Sequence, residues 1–326
     1  MTVMADYSGA IQWLLGSSDP SIRYLALTEV LGKSPSGQEA SQCRDLITGS
    51  SRIRNLLSGQ NEDGGFGKDP YRKWDGAHWR LVSLVNLAIP PNDSQALKMA
   101  ENVLDWIYLH ARRGRFPVRE GRPRMHASVY ANPVGACSYL GMGRDRRVEF
   151  LVRTIMNNQW ADGGWNCDTK DEANHSSFHE SQVTLWGLVM YRNATGSREV
   201  DDAIDRSCEL FLSHRIFRSH SSGNIIRDEF LKLRYPVYWH YNFLEAMRVL
   251  CIAGKGRDPR MTEALDLLES KCGEDGKWVV EGTYWRTPVP GEKRRAGQEV
   301  VDWGRSGPNE MITLNAMRVL QMARRL

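Results

Sequence analysis

The sequence predicts an all-α fold, an (α/α)6 toroid in which six helix pairs form two concentric rings. Three observations predict it. Glycines that follow helix-like apolar stretches recur at Gly65, Gly114, Gly164, Gly223 and Gly276, at intervals of 49, 50, 59 and 53 residues. An apolar helical segment with small residues on it appears six times. A more charged amphipathic helix precedes each of the six. Repeats at this spacing are the mark of stacked supersecondary units.

The apolar members run in order as Leu25–Gly32, Leu81–Leu87, Val134–Gly141, Thr184–Met190, Phe243–Leu250 and Thr313–Leu320. Each carries apolar residues at i, i+3, i+4 and i+7, the face of a 3.6-residue period. The charged members start near Tyr7, Glu39, Ser94, Arg146, Glu199 and Pro259. Burying the apolar set inside and the charged set outside gives an inner and an outer ring. Strict alternation of direction then gathers every glycine loop at one end, where loop variation and function concentrate. No low-complexity linker interrupts residues 1–326, so a single toroid domain is expected; an open α-solenoid is the alternative.

Composition narrows the function. Hydrophobic residues make up 41% and charged residues 25% of 326, as in globular proteins with a packed core. A net charge of +4 is too mild to argue for nucleic acid. No run approaches the length of an apolar membrane span, so no span is expected. The start of the chain lacks a basic region followed by a long apolar run, which leaves a cytoplasmic protein as the economical reading. Cys43, Cys137, Cys167, Cys208, Cys251 and Cys272 show no paired framework and are expected to be reduced.

Two glycine loops are close copies, Gln60-Asn-Glu-Asp-Gly-Gly-Phe66 and Gln159-Trp-Ala-Asp-Gly-Gly-Trp165, with Asp275-Gly-Lys-Trp278 a degenerate third. These segments resemble the repeats of the terpenoid cyclase and protein prenyltransferase superfamily, over roughly residues 7–326. The resemblance implies the six-fold toroid with a central cavity open at the glycine-loop end. It also implies architectural roles for Gln60, Phe66, Gln159, Trp160 and Trp165. The catalytic marks of the known branches are mostly missing. Glu199-Val-Asp-Asp202 is the nearest match to the cyclases' Asp-x-Asp-Asp, and acidic residues at a helix start have an ordinary reading as dipole partners. No Asp-Asp-x-x-Asp segment is present. The prenyltransferases' zinc-binding Asp-x-Cys is replaced by Ser177-Phe-His179.

Titratable residues nevertheless gather at the glycine-loop end. His78, His126, His179 and His240 each lie within about a turn of the start of an apolar helix, and Cys167 follows Trp165 by two residues. Imidazole and thiolate suit zinc, which at catalytic sites takes three protein ligands and keeps a fourth position open. Cys167, His179 and His240 are the expected metal ligands, with His175 a substitute for His179, and no organic cofactor is expected. His179, His240 and Glu180 are the catalytic candidates; Ser177-Phe-His-Glu180 also fits a capping box. Trp74, His78, Phe178, Trp239 and Tyr241 are the expected lining of a cavity for an apolar, isoprenoid-like substrate, whose developing cation aromatic faces stabilise. Arg112, Arg113, Arg115, Arg119, Arg122 and Arg124 fall within thirteen residues. Arg113 and Arg115 are the expected contacts for a diphosphate group; a solvated loop is the plain alternative. The expectation is therefore a cyclase-like or prenyltransferase-like enzyme, and the alternative is a non-catalytic toroid that binds a lipid or a protein.

Overall fold

A computed structural model describes residues 7–114, 116–287 and 297–326 of the chain. Among them the fold is all-α. The strands are a two-residue hairpin, β1 (Val118–Arg119) and β2 (Arg122–Pro123).

All six apolar segments are helical. They lie in α2 (Pro20–Leu25) with its π-helical continuation Ala26–Val30, in α7 (Ala127–Cys137) with its π-helical continuation Ser138–Met142, and in α5 (Ala77–Asn86), α9 (Phe178–Thr195), α11 (Phe243–Ile252) and α13 (Glu310–Met322). The charged helices are α1 (Ser8–Leu15), α3 (Gln38–Leu46), α6 (Ser94–Arg113), α8 (Arg146–Asn157), α10 (Asp201–Ser213) and α12 (Thr262–Ser270). One helix has no counterpart in the sequence reading: α4 (Ser51–Leu57), which follows α3 after a 3-10 turn and an extended Ser50. Most starts are set by a polar cap. Asp19, Asp93, Asp145, Ser177, Asn242 and Asn309 each accept a backbone N–H from the first turn. α7 has no side-chain cap of its own, with His126 at the cap position.

Contacts between the apolar helices run in one series. α5 packs on α7, α7 on α9, α9 on α11, α11 on α13, and α13 on α2. The closest is α7 against α9, where a Cβ on Gly187 would lie 2.4 Å from the Ala131 carbonyl oxygen. The charged helices lie against this series, α6 and α8 on α7, α10 on α9, and α12 on α11. Buried apolar side chains form one cluster from Tyr7 to Leu320. No described helix is long and apolar enough to cross a membrane.

The repeated Gln-x-x-Asp-Gly-Gly segments are joints. Gln60 Nε2 donates to the Gly64 and Gln95 carbonyls, and Gln159 Nε2 to those of Gly163 and Ala203, so each glutamine fastens its turn to the next charged helix. Gly163 has φ +97°, and a Cβ there would meet the Arg206 carbonyl oxygen at 2.2 Å, so both conformation and space demand glycine. Asp201 and Asp202, from the Glu199–Asp202 segment, pair with Arg198 and Arg206 in the first turn of α10.

Candidate functional site

The site begins with the uncapped start of α7. Close packing of α7 on α9 brings Glu180, in the first turn of α9, beside that start. The Ser128 N–H donates to Glu180 Oε2 at 2.9 Å, so α9 supplies the acceptor that α7 lacks. Glu180 Oε1 lies 3.6 Å from His126 Nδ1. The Ser177 hydroxyl accepts the Glu180 N–H, which is one half of a capping box. The other half is absent, because the Glu180 carboxylate crosses to α7 and the Ser177 N–H donates instead to the Trp165 carbonyl.

Cys167 reaches the same place from the third glycine loop. The Met125 N–H donates to the Asn166 carbonyl, and Arg124 Nη1 donates to the Ala173 carbonyl, so the loop is pinned to the residues leading into α7. Donor atoms of His126, Cys167 and Glu180 all lie within 4.8 Å of one another. Glu180 is buried, Cys167 half-buried and His126 exposed. Burial, helped by the Glu180 charge, pushes the Cys167 thiol up to about 12. The Glu180 carboxylate close beside it raises His126 above its usual value, against a smaller opposing effect of burial. The carboxylate thus favours the protonated form of both neighbours, for Cys167 in addition to the larger effect of burial.

These three residues border a cleft of about 600 Å3, walled by Tyr71, Trp106, Phe116, Tyr130 and Trp239. At its rim the Lys73 ammonium lies 4.9 Å over the Trp239 ring. A second cavity of about 820 Å3, lined by His175, His179, His214 and His220, lies on the other side of Cys167.

The expected trio of Cys167, His179 and His240 is replaced by Cys167, His126 and Glu180. His179 and His240 approach each other, with ring centroids 6.2 Å apart, and the Nδ1 of each is engaged with backbone. The Tyr241 N–H donates to His179 Nδ1. The His240 ring stacks on Tyr284 at 3.5 Å and on Trp239 at 3.8 Å, with Nδ1 at the Val237 carbonyl. Burial lowers the pKa of both, that of His240 to about 3. His175, the substitute, is exposed beside Asn174.

The expected lining divides in the same way. Trp239 borders the cleft. His78 is buried against Asn132, its Nε2 3.0 Å from the Asn132 amide nitrogen, and burial takes its pKa to about 3. Trp74 is buried, stacked on Tyr238 at 3.6 Å and donating to the Tyr284 carbonyl. Phe178 packs among Phe211, Phe230 and Tyr241, and the Tyr241 hydroxyl donates to the Ile216 carbonyl. Trp74 and Tyr241 therefore serve as packing, Phe178 also borders the second cavity, and Tyr235–Tyr238 and Trp79 line a small cavity between the apolar helices. Arg113 is exposed at the end of α6, and Arg115 lies outside the described residues. The arginines of that loop are dispersed: Arg119 pairs loosely with Asp171, while Arg124 is buried over the Trp160 ring at 4.7 Å.

Sequence reasoning placed His126 at the correct helix end but outside the ligand set. The signal available was the absence of Ser, Thr, Asp or Asn at the cap of α7, which requires an acceptor from elsewhere. No family model, no curated protein and no solved structure matches the chain.

Proposed function

We propose that the chain is a single-domain (α/α)6 toroid related to the terpenoid cyclase and prenyltransferase superfamily, and that it transforms an apolar, isoprenoid-like substrate in the cleft over α7. The pairwise series of apolar helices and the charged helices against it support the toroid. One observation carries the function: His126, Cys167 and Glu180 converge at the border of an aromatic-walled cleft.

The donor set fits zinc. Nitrogen, sulfur and carboxylate oxygen are its three ligand types, and three protein donors leave one position open. His126, Cys167 and Glu180 would hold the ion, with Cys167 giving up its thiol proton on binding. Bound there, zinc supplies a Lewis acid at the edge of the cleft. The chain's own residues do the rest. Glu180 fixes His126 and Cys167 relative to the two helix starts. Tyr71, Trp106, Tyr130 and Trp239 exclude water and present π faces to developing positive charge. Lys73 at the rim attracts an anionic head group, a diphosphate included.

Elemental analysis of the purified chain tests this. The expected result is one zinc per chain, lost in Cys167→Ser and His126→Ala and retained in His240→Gln. A chain that stays zinc-free after incubation with zinc overturns the metal reading, and loss of zinc in His240→Gln alone overturns the assignment of ligands. A second reading rests on the raised pKa of His126: the His126–Glu180 pair acts as a proton donor to an alkene without metal. Activity unaffected by chelation would favour it.

A further inference from the structure

A separate cavity lies between the apolar helices, lined by α5, α7, α9, α11 and α13 together with Tyr235–Tyr238. It measures about 50 Å3. A buried water needs about 10–15 Å3 of such space, so there is room for several waters or one small ion. It runs from Trp79 to Asn86 at the C-terminal end of α5, where Val82 and Asn86 become partly exposed. Val237 and Glu245, near the start of α11, are partly exposed as well, and the cavity shares no lining residue with the cleft described above.

Its chemistry differs from that of the cleft. Arg248 and Arg318 occupy the same place in two copies of an Ala-Met-Arg-Val-Leu segment, on α11 and α13. Both are buried, at 9% and 5% exposure, and both line the cavity. Arg248 is paired with Glu245, three residues before it on the same helix. Arg318 has Asn315 at that position, and its charge is met from outside by Glu29, at 2.9 Å. Glu29 lies in the π-helical turn after α2 and is half-exposed. Burial pulls the Arg318 guanidinium below its usual pKa, Glu29 opposes this, and Arg248 adds repulsion. Two further lining residues hold buried polar atoms without hydrogen-bond partners, the Tyr235 hydroxyl and Gln182 Oε1. Unpartnered buried polar atoms are costly, and several around one cavity point to a ligand that satisfies them.

We infer that this cavity binds a small oxyanion that also carries a hydroxyl, hydrogen phosphate or a hydroxycarboxylate, with Arg318 and Arg248 as its charge partners. The anionic oxygens accept from the guanidinium groups and from the Tyr235 hydroxyl. The ligand hydroxyl donates to Gln182 Oε1, a role that a simple carboxylate or a halide cannot fill. Glu29 competes with the ligand for Arg318.

Isothermal titration calorimetry with inorganic phosphate, glycolate, acetate and chloride at fixed ionic strength tests the inference. Saturable binding of phosphate and glycolate is expected, with acetate weaker and chloride absent. Arg318→Gln should weaken phosphate about tenfold or more, the worth of one charged hydrogen bond. Glu29→Gln should tighten it severalfold, because the competitor is removed from a half-exposed position. Tyr235→Phe should weaken it severalfold. Should Arg318→Gln fail to fold by circular dichroism, Glu29→Gln decides: tighter binding upholds the site and unchanged binding overturns it. No saturable binding of phosphate or glycolate, equal binding of glycolate and acetate, or an unchanged affinity in folded Arg318→Gln overturns it as well.

Discussion

Replacing Glu180 separates its contribution to stability from its effect on its neighbours. In Glu180→Ala the Ser128 N–H loses the acceptor it holds at 2.9 Å, inside the protein. A buried donor left unpaired costs about 1–3 kcal/mol. Loss of a carboxylate at a helix N-terminus adds about 0.3–1 kcal/mol. Glu180→Ala is therefore expected to destabilise by about 1–4 kcal/mol in urea unfolding at pH 7. Glu180→Gln keeps an acceptor for Ser128 and loses only the charge, so about 1 kcal/mol is expected. Glu180 is also what raises His126, through its close approach first and its charge second. A raised histidine pKa stabilises the fold below its unfolded value of 6.5, and that contribution disappears as pH rises through the folded value. The stability difference between wild type and Glu180→Gln should thus narrow as pH rises above neutrality. NMR titration of His126 should show a lower midpoint in Glu180→Gln. Equal stability of Glu180→Ala and wild type, or an unmoved His126 midpoint in Glu180→Gln, would refute the trans-cap argument.

Two further outcomes follow from the same electrostatics. Cys167, pushed up to about 12 by burial and then by Glu180, should alkylate slowly with iodoacetamide at pH 7.5 in metal-free protein, and faster in Glu180→Gln; equal rates would remove Glu180 as a cause. His78, neutral in the fold because burial takes it to about 3, should make stability fall with acid from pH 6.5 towards 3. The unfolded chain takes up a proton there that the native one refuses, at about 1.4 kcal/mol per pH unit. His78→Gln should flatten that slope, measured as urea midpoints between pH 4.5 and 7, and an unchanged slope would assign the acid sensitivity elsewhere.

What the sequence made legible was local. The six apolar segments were readable because their period is set by burial along one helix. The joints at Gln60 and Gln159 were readable because the motif spells out its own turn. Ser177 announces a helix start by the same short-range chemistry. The direction of each histidine was not legible, since it depends on distant partners. His240 is held by Tyr284, and His179 by the backbone of Tyr241, 62 residues away in the chain. Trp74 looked like cavity lining, but its ring is taken by Tyr238 and its indole N–H by Tyr284. Aromatic residues near a helix end fit both a cavity wall and a plug, and only the long-range pairing separates them. Arg248 and Arg318 lie inside segments read only as apolar, and their common cavity needs the helices to be assembled.

The geometry of the candidate site should depend on the packing of α7 against α9. Glu180 reaches Ser128 because the two helices lie close together, and glycine makes that approach possible. A Cβ on Gly135 would meet the Trp186 ring at 2.6 Å, and one on Gly187 would meet the Ala131 backbone oxygen at 2.4 Å. The second clash is with backbone, so it is relieved only by moving one helix from the other. Gly187→Ala is expected to cost about 1–3 kcal/mol, as other overpacked cores do. Gly49→Ala, where nothing lies within 4 Å of the added carbon, serves as the neutral control. The displacement should also reach Glu180, two turns nearer the start of α9, and lengthen its bond to Ser128. His126 would then lose part of the carboxylate's influence, although Gly187 itself touches no titratable group at the site. The expected result is a lower His126 midpoint in Gly187→Ala, shifted in the same direction as in Glu180→Gln but by less. A destabilised Gly187→Ala with an unchanged His126 midpoint would show that the helix starts stay together when their middles are forced apart, and the dependence of the site on this packing would be rejected.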